Sequence, residues 1–427
     1  MTSILVKPSS KLNAPTLRHL PSGLTIVAEQ LPVDAVNLSL WINVGSAVES
    51  DEINGMAHFL EHMVFKGTDR LTSGEFEQRI EQRGAVTNAA TSQDYTHYYI
   101  TTAPKDFAEL APLQMDVVLN ASIPDQAFER ERFVILEEIR RSQDNPRRRT
   151  FQHTTELAFD RLPYRRPVLG PTSVIEALAP QQMRDFHASW YQPKSITAVA
   201  VGNLPVDELI QTIEDSFIRL KPEAVSLPHP PSPIAELPFP QITRREFVDR
   251  TLTQARLMMI WRVPGLVGLH DTYELDVVSS ILGHGRTARL IKDLREDRGL
   301  VSSISASNMT YRHQGIFCIS AQLPIENVEP VEAAIVQHLC TLQSDFVTQA
   351  ELTRVCTQVA NHFVFGNETP SDRAGLYGYY QSQVGALEPA FDYPNRIQSL
   401  TVADLQAAVQ KYLPTKAYGV VVIKPEA

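Results

Sequence analysis

Cysteine is scarce: the 427 residues contain three, Cys318, Cys340 and Cys356, all in the second half. An odd and sparse set is no secreted disulfide scaffold. It fits a reducing compartment, with each thiol a small buried apolar residue. Also missing is any apolar run near the roughly 18 residues of a membrane-spanning helix. The stretch from Met1 to Leu12 has neither the basic-then-apolar pattern of a signal peptide nor the Arg-rich pattern of a transit segment. The expectation is a cytoplasmic protein, or an organellar one if a targeting segment has been removed. Excess positive charge is lacking too. Against 39 Lys+Arg stand 49 Asp+Glu, a net charge of −10, which argues against nucleic acid or an anionic membrane as the main partner. Gly283-His284-Gly285 is too short and off-pattern for a phosphate loop, so no nucleotide is assigned.

What remains is ordinary globular composition, with 43% hydrophobic and 21% charged residues. The length allows two to four domains. Seven of the 29 prolines fall between Pro222 and Pro240. That stretch cannot be a helix or a central strand, and it reads as a semi-rigid spacer. It divides the chain into an N-terminal domain, 1–221, a linker, 222–240, and a C-terminal domain, 241–427. Both halves show a similar order of elements. Strands are expected at 24–29, 36–44, 86–90 and 95–102, with helices at 57–65, 73–83, 103–122 and 124–142. In the second half, strands are expected at 257–263, 301–307 and 315–322, with helices at 270–282, 286–296, 328–342 and 348–363. This order implies two related α+β domains, each a largely antiparallel sheet with helices packed on one face.

The strongest chemical signal is Ala57-His58-Phe59-Leu60-Glu61-His62-Met63. On a helix, His58, Glu61 and His62 share one face. Two imidazoles one turn apart can hold a Zn²⁺, and the intervening carboxylate can take a proton from a water. This is the inverzincin pattern His-x-x-Glu-His. Such a triplet can also be a plain solvated stripe. The apolar neighbours Phe59, Leu60, Met63, Val64 and Phe65 place it against a core instead, where a metal would offset the cost of burial.

A catalytic zinc needs a third protein ligand. The helix expected at 124–142 offers Glu129, Glu131, Glu137 and Glu138, beside an apolar face of Phe128, Ile135 and Ile139. Glu131 and Glu138 are two turns apart on the same side, close to that face, and Glu137 points roughly 100° away. Glu138 is the preferred ligand, with Glu131 one layer out as an orienting or proton-handling group. The competing reading makes these acids solvated residues balanced by Arg130, Arg132, Arg140 and Arg141. Other features are blander. His97 reads as a half-buried structural histidine and His284 as a solvent-facing loop residue. Arg147-Arg148-Arg149 reads as a solvated turn beside Pro146.

The run from Leu20 to Thr68, with Ser22-Gly23-Leu24-Thr25-Ile26-Val27, Gly45-Ser46 and His58 through Thr68, resembles the pitrilysin/insulinase family of zinc peptidases, and its short processing-peptidase-like branch in particular. The resemblance implies a zinc metalloendopeptidase acting on unfolded peptides or N-terminal targeting segments. One Zn²⁺ per chain is held by His58, His62 and Glu138, the last lying 76 residues after His62. Glu61 is the general base and Glu131 the additional acid. Asn88, Ala89, Ala90 and Thr91 form the edge that takes the substrate as an added strand. Leu294-Arg295-Glu296-Asp297-Arg298-Gly299-Leu300 resembles the segment whose Arg, with a Tyr seven residues on, holds the substrate carbonyl. Arg295 is present, but Ser302 stands at the Tyr position. The implied assembly is half of a clamshell: a heterodimer whose related partner supplies the Arg/Tyr half, or a homodimer in which Tyr311 or another tyrosine substitutes. A non-catalytic peptide-binding or structural subunit is the alternative function.

Overall fold

The computed structural model describes residues 15–220, residue 228 and residues 234–426. Eleven strands in two sheets are found among them: β1 (Thr16–His19), β2 (Thr25–Gln30), β3 (Val36–Ile42), β4 (Val86–Thr91), β5 (Thr96–Thr102), β6 (Ile196–Gly202), β7 (Thr243–Asp249), β8 (Ala255–Pro264), β9 (Ser303–Met309), β10 (Gln314–Leu323) and β11 (Gly419–Pro425). Helices of the first half are α1 (Met56–Met63), α2 (Glu75–Gln82), α3 (Phe107–Leu119), α4 (Asp125–Asp144), α5 (Pro146–Ala158), α6 (Thr172–Ala177), α7 (Pro180–Trp190) and α8 (Val206–Leu220). Those of the second half are α9 (Tyr273–Gly283), α10 (Val328–Ser344), α11 (Gln349–Phe365), α12 (Pro370–Gln383), α13 (Glu388–Ser399) and α14 (Val402–Tyr412). None is long and apolar enough to cross a membrane. The three cysteines are unpaired, Cys318 and Cys356 being buried.

The two sheets share one topology. The first runs β1-β2-β6-β3-β5-β4 and the second β7-β11-β8-β10-β9. Apart from the extra β1, each strand of one has a counterpart at the same place in the other. In each sheet one pair is parallel, β2 with β6 and β7 with β11, and the other pairs are antiparallel. This is the mixed, mostly antiparallel α+β architecture expected from the sequence. β4 pairs only with β5 and so forms an open edge.

One expected helix differs in form. The stretch 286–296 is a turn followed by a wide π-helical segment, Ile291–Asp297. Gly285, at φ +85°, reverses the chain after α9 and delays the helix start. Of the proline-rich 222–240, residues 222–227 and 229–233 lie outside the described residues. Its last part is tied down: Gln314 donates to the Glu236 carbonyl at 2.9 Å, and the Glu236 carboxylate accepts from the Asp160 and Leu162 N–H groups at 3.0 and 2.9 Å.

Every residue of β3 and of β6 is buried, which requires cover on both sheet faces. One face packs on the core formed with α1, α3 and α8. The other is covered by α12, from the second half: Ala374, Tyr377 and Tyr380 lie on Val27, Trp41, Val199 and Val201. The exchange is reciprocal. The outer face of the second sheet, with Ile260, Ile316, Val421 and Ile423, is covered by Leu157, Ala158 and Phe159 at the end of α5. A buried ion pair fixes one side: Glu29 receives the Arg373 guanidinium at 2.5 Å and the Tyr377 hydroxyl at 2.8 Å.

α12 approaches β3 so closely that a Cβ on Gly378 would overlap the Trp41 indole. Gly378→Ala should therefore destabilise the protein by about 1–3 kcal/mol, the usual range for overpacking. The check is the midpoint of thermal or urea unfolding, and an unchanged midpoint would mean that α12 does not seat on Trp41 in this way.

Candidate metal centre

The centre is built on α1. Its sequence Met-Ala-His-Phe-Leu-Glu-His-Met buries six of eight residues, leaving only Glu61 and His62 half-buried. No side chain of the helix's own first turn caps it. Instead the buried Glu49 carboxylate accepts from the Ala57 N–H at 2.7 Å and from the Gly55 N–H and Asn54 amide at 2.9 Å each. A negative charge at a helix N-terminus satisfies the free N–H groups and complements the helix dipole. Gly55, at φ +99° and pressed against Gly170, makes the turn into the helix.

α1 docks on α4 through stacked rings, Phe59 on Phe128, with centroids 4.5 Å apart. Glu131 and Glu138 follow Phe128 at three and ten residues and reach the histidines. His58 Nε2 and His62 Nε2 lie 3.6 and 3.7 Å from the same oxygen, Glu138 Oε2. The three donor atoms fall within 4.8 Å of one another. Zinc bonds near 2.0–2.1 Å in a tetrahedron place donors roughly 3.3–3.4 Å apart, so small side-chain shifts would close the triad on an ion. Two imidazole nitrogens and one carboxylate are also the donor set of a catalytic zinc site.

The surroundings set the protonation states this requires. Burial, aided by the charges of His62 and Arg148, holds His58 down to about 3, so it is neutral with a free lone pair at neutral pH. His58 Nδ1 is buried without a partner. His62 Nδ1 instead meets Glu131 Oε1 at 3.0 Å, which directs a proton to Nδ1 and the lone pair of Nε2 toward Glu138. Glu131 also holds Lys66 Nζ at 2.7 Å. Burial pushes the Glu131 carboxyl up, but the bonds from His62 and Lys66 outweigh it and hold it below the usual range. On the third side, burial pushes the Glu61 carboxyl up, opposed by the hydrogen bond it accepts from the Thr91 hydroxyl.

The other acids of α4 face away. Glu129 pairs with Arg132, and Glu137 with Arg140 and Arg141. Asn88, Ala89, Ala90 and Thr91 all lie on the open-edge strand β4. Their exposure alternates, with Asn88 and Ala90 outward and Ala89 and Thr91 toward the helices. Arg295 is not brought to the cluster. It sits on the π-helical segment with its guanidinium on Glu296 at 2.6 Å. Ser302 is occupied at the start of β9, donating to Gln254 at 2.8 Å or the Gln322 carbonyl at 3.0 Å. Tyr311 is half-buried at the junction of the halves, stacked on Tyr164 at 4.5 Å. His97 stacks on Trp41 at 4.6 Å, on the sheet face opposite α1, and His284 is an exposed loop residue.

Sequence reasoning missed three contributors. Glu49 lies in an irregular stretch and gives no periodic signal. Lys66, one turn past His62, was within reach of the i, i+4 rule. Thr91 was placed on the edge strand, but its bond to Glu61 depends on how β4 lies over α1.

Two family models match the chain: Insulinase (Peptidase family M16) over residues 25–172, and Peptidase M16 inactive domain over residues 177–359. A Mycobacterium tuberculosis protein named as an uncharacterized zinc protease is 28% identical over 96% of this chain and 93% of its own. The similarly named YmxG of Bacillus subtilis is 26% identical over 95% and 97%. Among solved structures, a protease from Helicobacter pylori matches with a TM-score of 0.90 at 26% identity, over 96% of this chain and 99% of its own. The periplasmic protease PqqL from Escherichia coli shares the fold at 20% identity and TM-score 0.81, covering 97% of this chain with 48% of its own.

Burial pushes the Glu49 carboxyl up to about 7 in spite of its three hydrogen bonds. In the unfolded chain it would titrate near 4.5. Between those values the folded state holds a proton that the unfolded state has released, so this group's contribution to stability falls as pH rises. The slope is at most about 1.4 kcal/mol per pH unit. Glu49→Gln cannot titrate, and urea unfolding from pH 4.5 to 7 should show a flatter profile for it than for the wild type. Parallel profiles would show that Glu49 ionises normally.

Proposed function

The chain belongs to the M16 insulinase family of peptidases, and from that premise we propose that it is a zinc metalloendopeptidase cutting extended, unfolded peptides. The observation that carries this reading is the convergence of His58 Nε2, His62 Nε2 and Glu138 Oε2 within 4.8 Å, with Glu61 on the same helix. His58, His62 and Glu138 would hold one Zn²⁺. When bound, the ion supplies a Lewis acid that activates water and polarises the scissile carbonyl.

The remaining steps belong to the chain's own residues. Glu61 takes the proton of the attacking water and returns it to the leaving amine. Burial raises its proton affinity, which favours its use as a proton acceptor. Thr91 orients that carboxylate. Glu131 keeps the proton of His62 on Nδ1, acting as a positioning residue, and Lys66 keeps Glu131 charged. The open edge of β4, from Asn88 to Thr91, takes the peptide as an added antiparallel strand. Backbone hydrogen bonds then recognise any extended chain, so N-terminal targeting segments are within the accessible class.

For Arg295 the proposal is contact with the substrate from the second half of the molecule or of a partner, after release from Glu296. Because the Ser302 hydroxyl is engaged at β9, a self-contained Arg/Tyr pair is absent at the matching positions. A two-chain assembly follows as the working form, with a related chain or a second copy supplying the missing half. The match of this chain to about half of PqqL supports that division of labour. The three unpaired thiols favour the cytoplasm as its location.

Glu61→Gln should retain zinc, measured by metal analysis, and lose at least about a hundredfold in peptide cleavage, the scale of a lost general base. His62→Ala should lose the metal. Cleavage by Glu61→Gln at the wild-type rate would overturn the mechanism. Full zinc-dependent cleavage of an unstructured peptide by the isolated monomeric chain would overturn the two-chain requirement.

A further inference from the structure

A groove of about 690 Å³ opens beside Glu138, between the outer face of α4 and the start of α5. Phe133, Val134, Glu137, Arg141 and Arg148 line it together with Glu138. Two features set it apart from ordinary helix surface. Phe133 and Val134 are 71% and 50% exposed, side by side on a helix whose other exposed positions are mostly charged. At the rim of the candidate centre, this exposed apolar pair offers a contact surface for an apolar side chain.

The second feature is charge. Glu137 is fully engaged, held down to about 2 by its bonds to Arg140 and Arg141. Glu138 is turned to the histidines. Arg149, next along the chain, is committed to Asp249 at 2.9 Å. Arg148 has neither an ion pair nor a side-chain hydrogen bond among the described residues, and its field reaches His58. With Glu138 committed to the histidine cluster, Arg148 is left as the lining guanidinium without a charge partner among the described residues. The net charge of −10 would draw in cationic peptides from a distance. At contact, a guanidinium within a Debye length of roughly 8–10 Å outweighs the averaged field.

We propose that this groove is a specificity subsite taking an acidic substrate side chain against Arg148, with an adjacent large apolar side chain on Phe133 and Val134. This rests on the peptidase reading above and narrows it. The preferred substrates are peptides with an acidic residue near the scissile bond, and Arg-rich, acid-poor targeting segments are disfavoured.

The test uses two arms on the zinc-loaded chain with its assembly partner present. In the first, the wild type and Arg148→Glu cleave quenched-fluorescent peptides that are identical except for Glu, Gln or Lys scanned across the positions flanking the cut. At one position, Glu should exceed Lys by at least about fivefold in kcat/KM, the effect of roughly 1 kcal/mol between close charges in water. Arg148→Glu should reverse the order, and 0.5 M salt should shrink the difference. In the second arm, fluorescence anisotropy measures binding of the same peptides to Glu61→Gln and to Glu61→Gln/Arg148→Glu, with the same expected preference and reversal. Cleavage without a Glu preference, or a preference that survives Arg148→Glu, overturns the subsite. Selective, reversible binding with no cleavage by the wild type supports the subsite and overturns the peptidase reading. Neither binding nor cleavage overturns both.

Discussion

The contact on which the centre depends is the stack of Phe59 on Phe128. α1 supplies two histidines and Glu61 but no third candidate ligand, and α4 supplies carboxylates but no imidazole. Neither helix is a metal site by itself. The stacked rings set the distance and rotation between them, and only then do Glu131 and Glu138 meet His62 and His58. The apolar contact is also what makes the polar one tolerable. A helix that buries Phe59, Leu60 and Met63 carries His58 in with it, and a desolvated imidazole stays neutral and available as a donor.

That contact needs a rigid platform, and the reciprocal exchange of helices provides one. Because α12 covers the outer face of the first sheet while the end of α5 covers the second, neither half can swing away without exposing apolar surface. α5 follows α4 after a single residue, Asn145, whose side chain accepts from the Arg147 N–H at 2.9 Å. The helix carrying Glu138 is thus continuous with the one anchored on the second sheet. The position of Glu138 is linked mechanically to the packing between the halves, while the histidines sit on a helix packed into the core of the first sheet.

Much of this was legible from residues. The i, i+4 spacing of His58 and His62 and the i, i+7 spacing of Glu131 and Glu138 are helix-face facts, and the structure places each pair on one face. The repeated element order anticipated two sheets of like topology. What was not legible is long-range. No periodicity announces that α12 packs on Trp41, because the sequence cost of that contact is one small residue, Gly378. Glu49 is hidden for the opposite reason: a lone acid in irregular chain looks solvated until its three N–H partners are known. Each half packs its own helices on one face of its sheet, as expected, and the cover on the other face of β3 and β6 comes from the other half. Unbroken runs such as Ile196-Thr-Ala-Val-Ala-Val already require two covered faces.

If the centre works as proposed, the hydrogen bond between the edge strand and Glu61 links peptide binding to the state of that carboxylate. Thr91 is the last residue of β4, and its side chain reaches inward to Glu61 while the strand's free edge faces outward. A peptide adding to that edge hydrogen-bonds to the backbone of the same strand and stiffens it. The Thr91 hydroxyl donates to Glu61, so it favours the ionised form, the form that can accept a proton. Burial works the other way and raises the pKa. The Glu61 carboxyl is thus balanced between two opposing influences, one set by the core and one by the edge strand β4. Under the proposed peptidase reading, recognition of an extended backbone and readiness of Glu61 as a base would be coupled through this one residue.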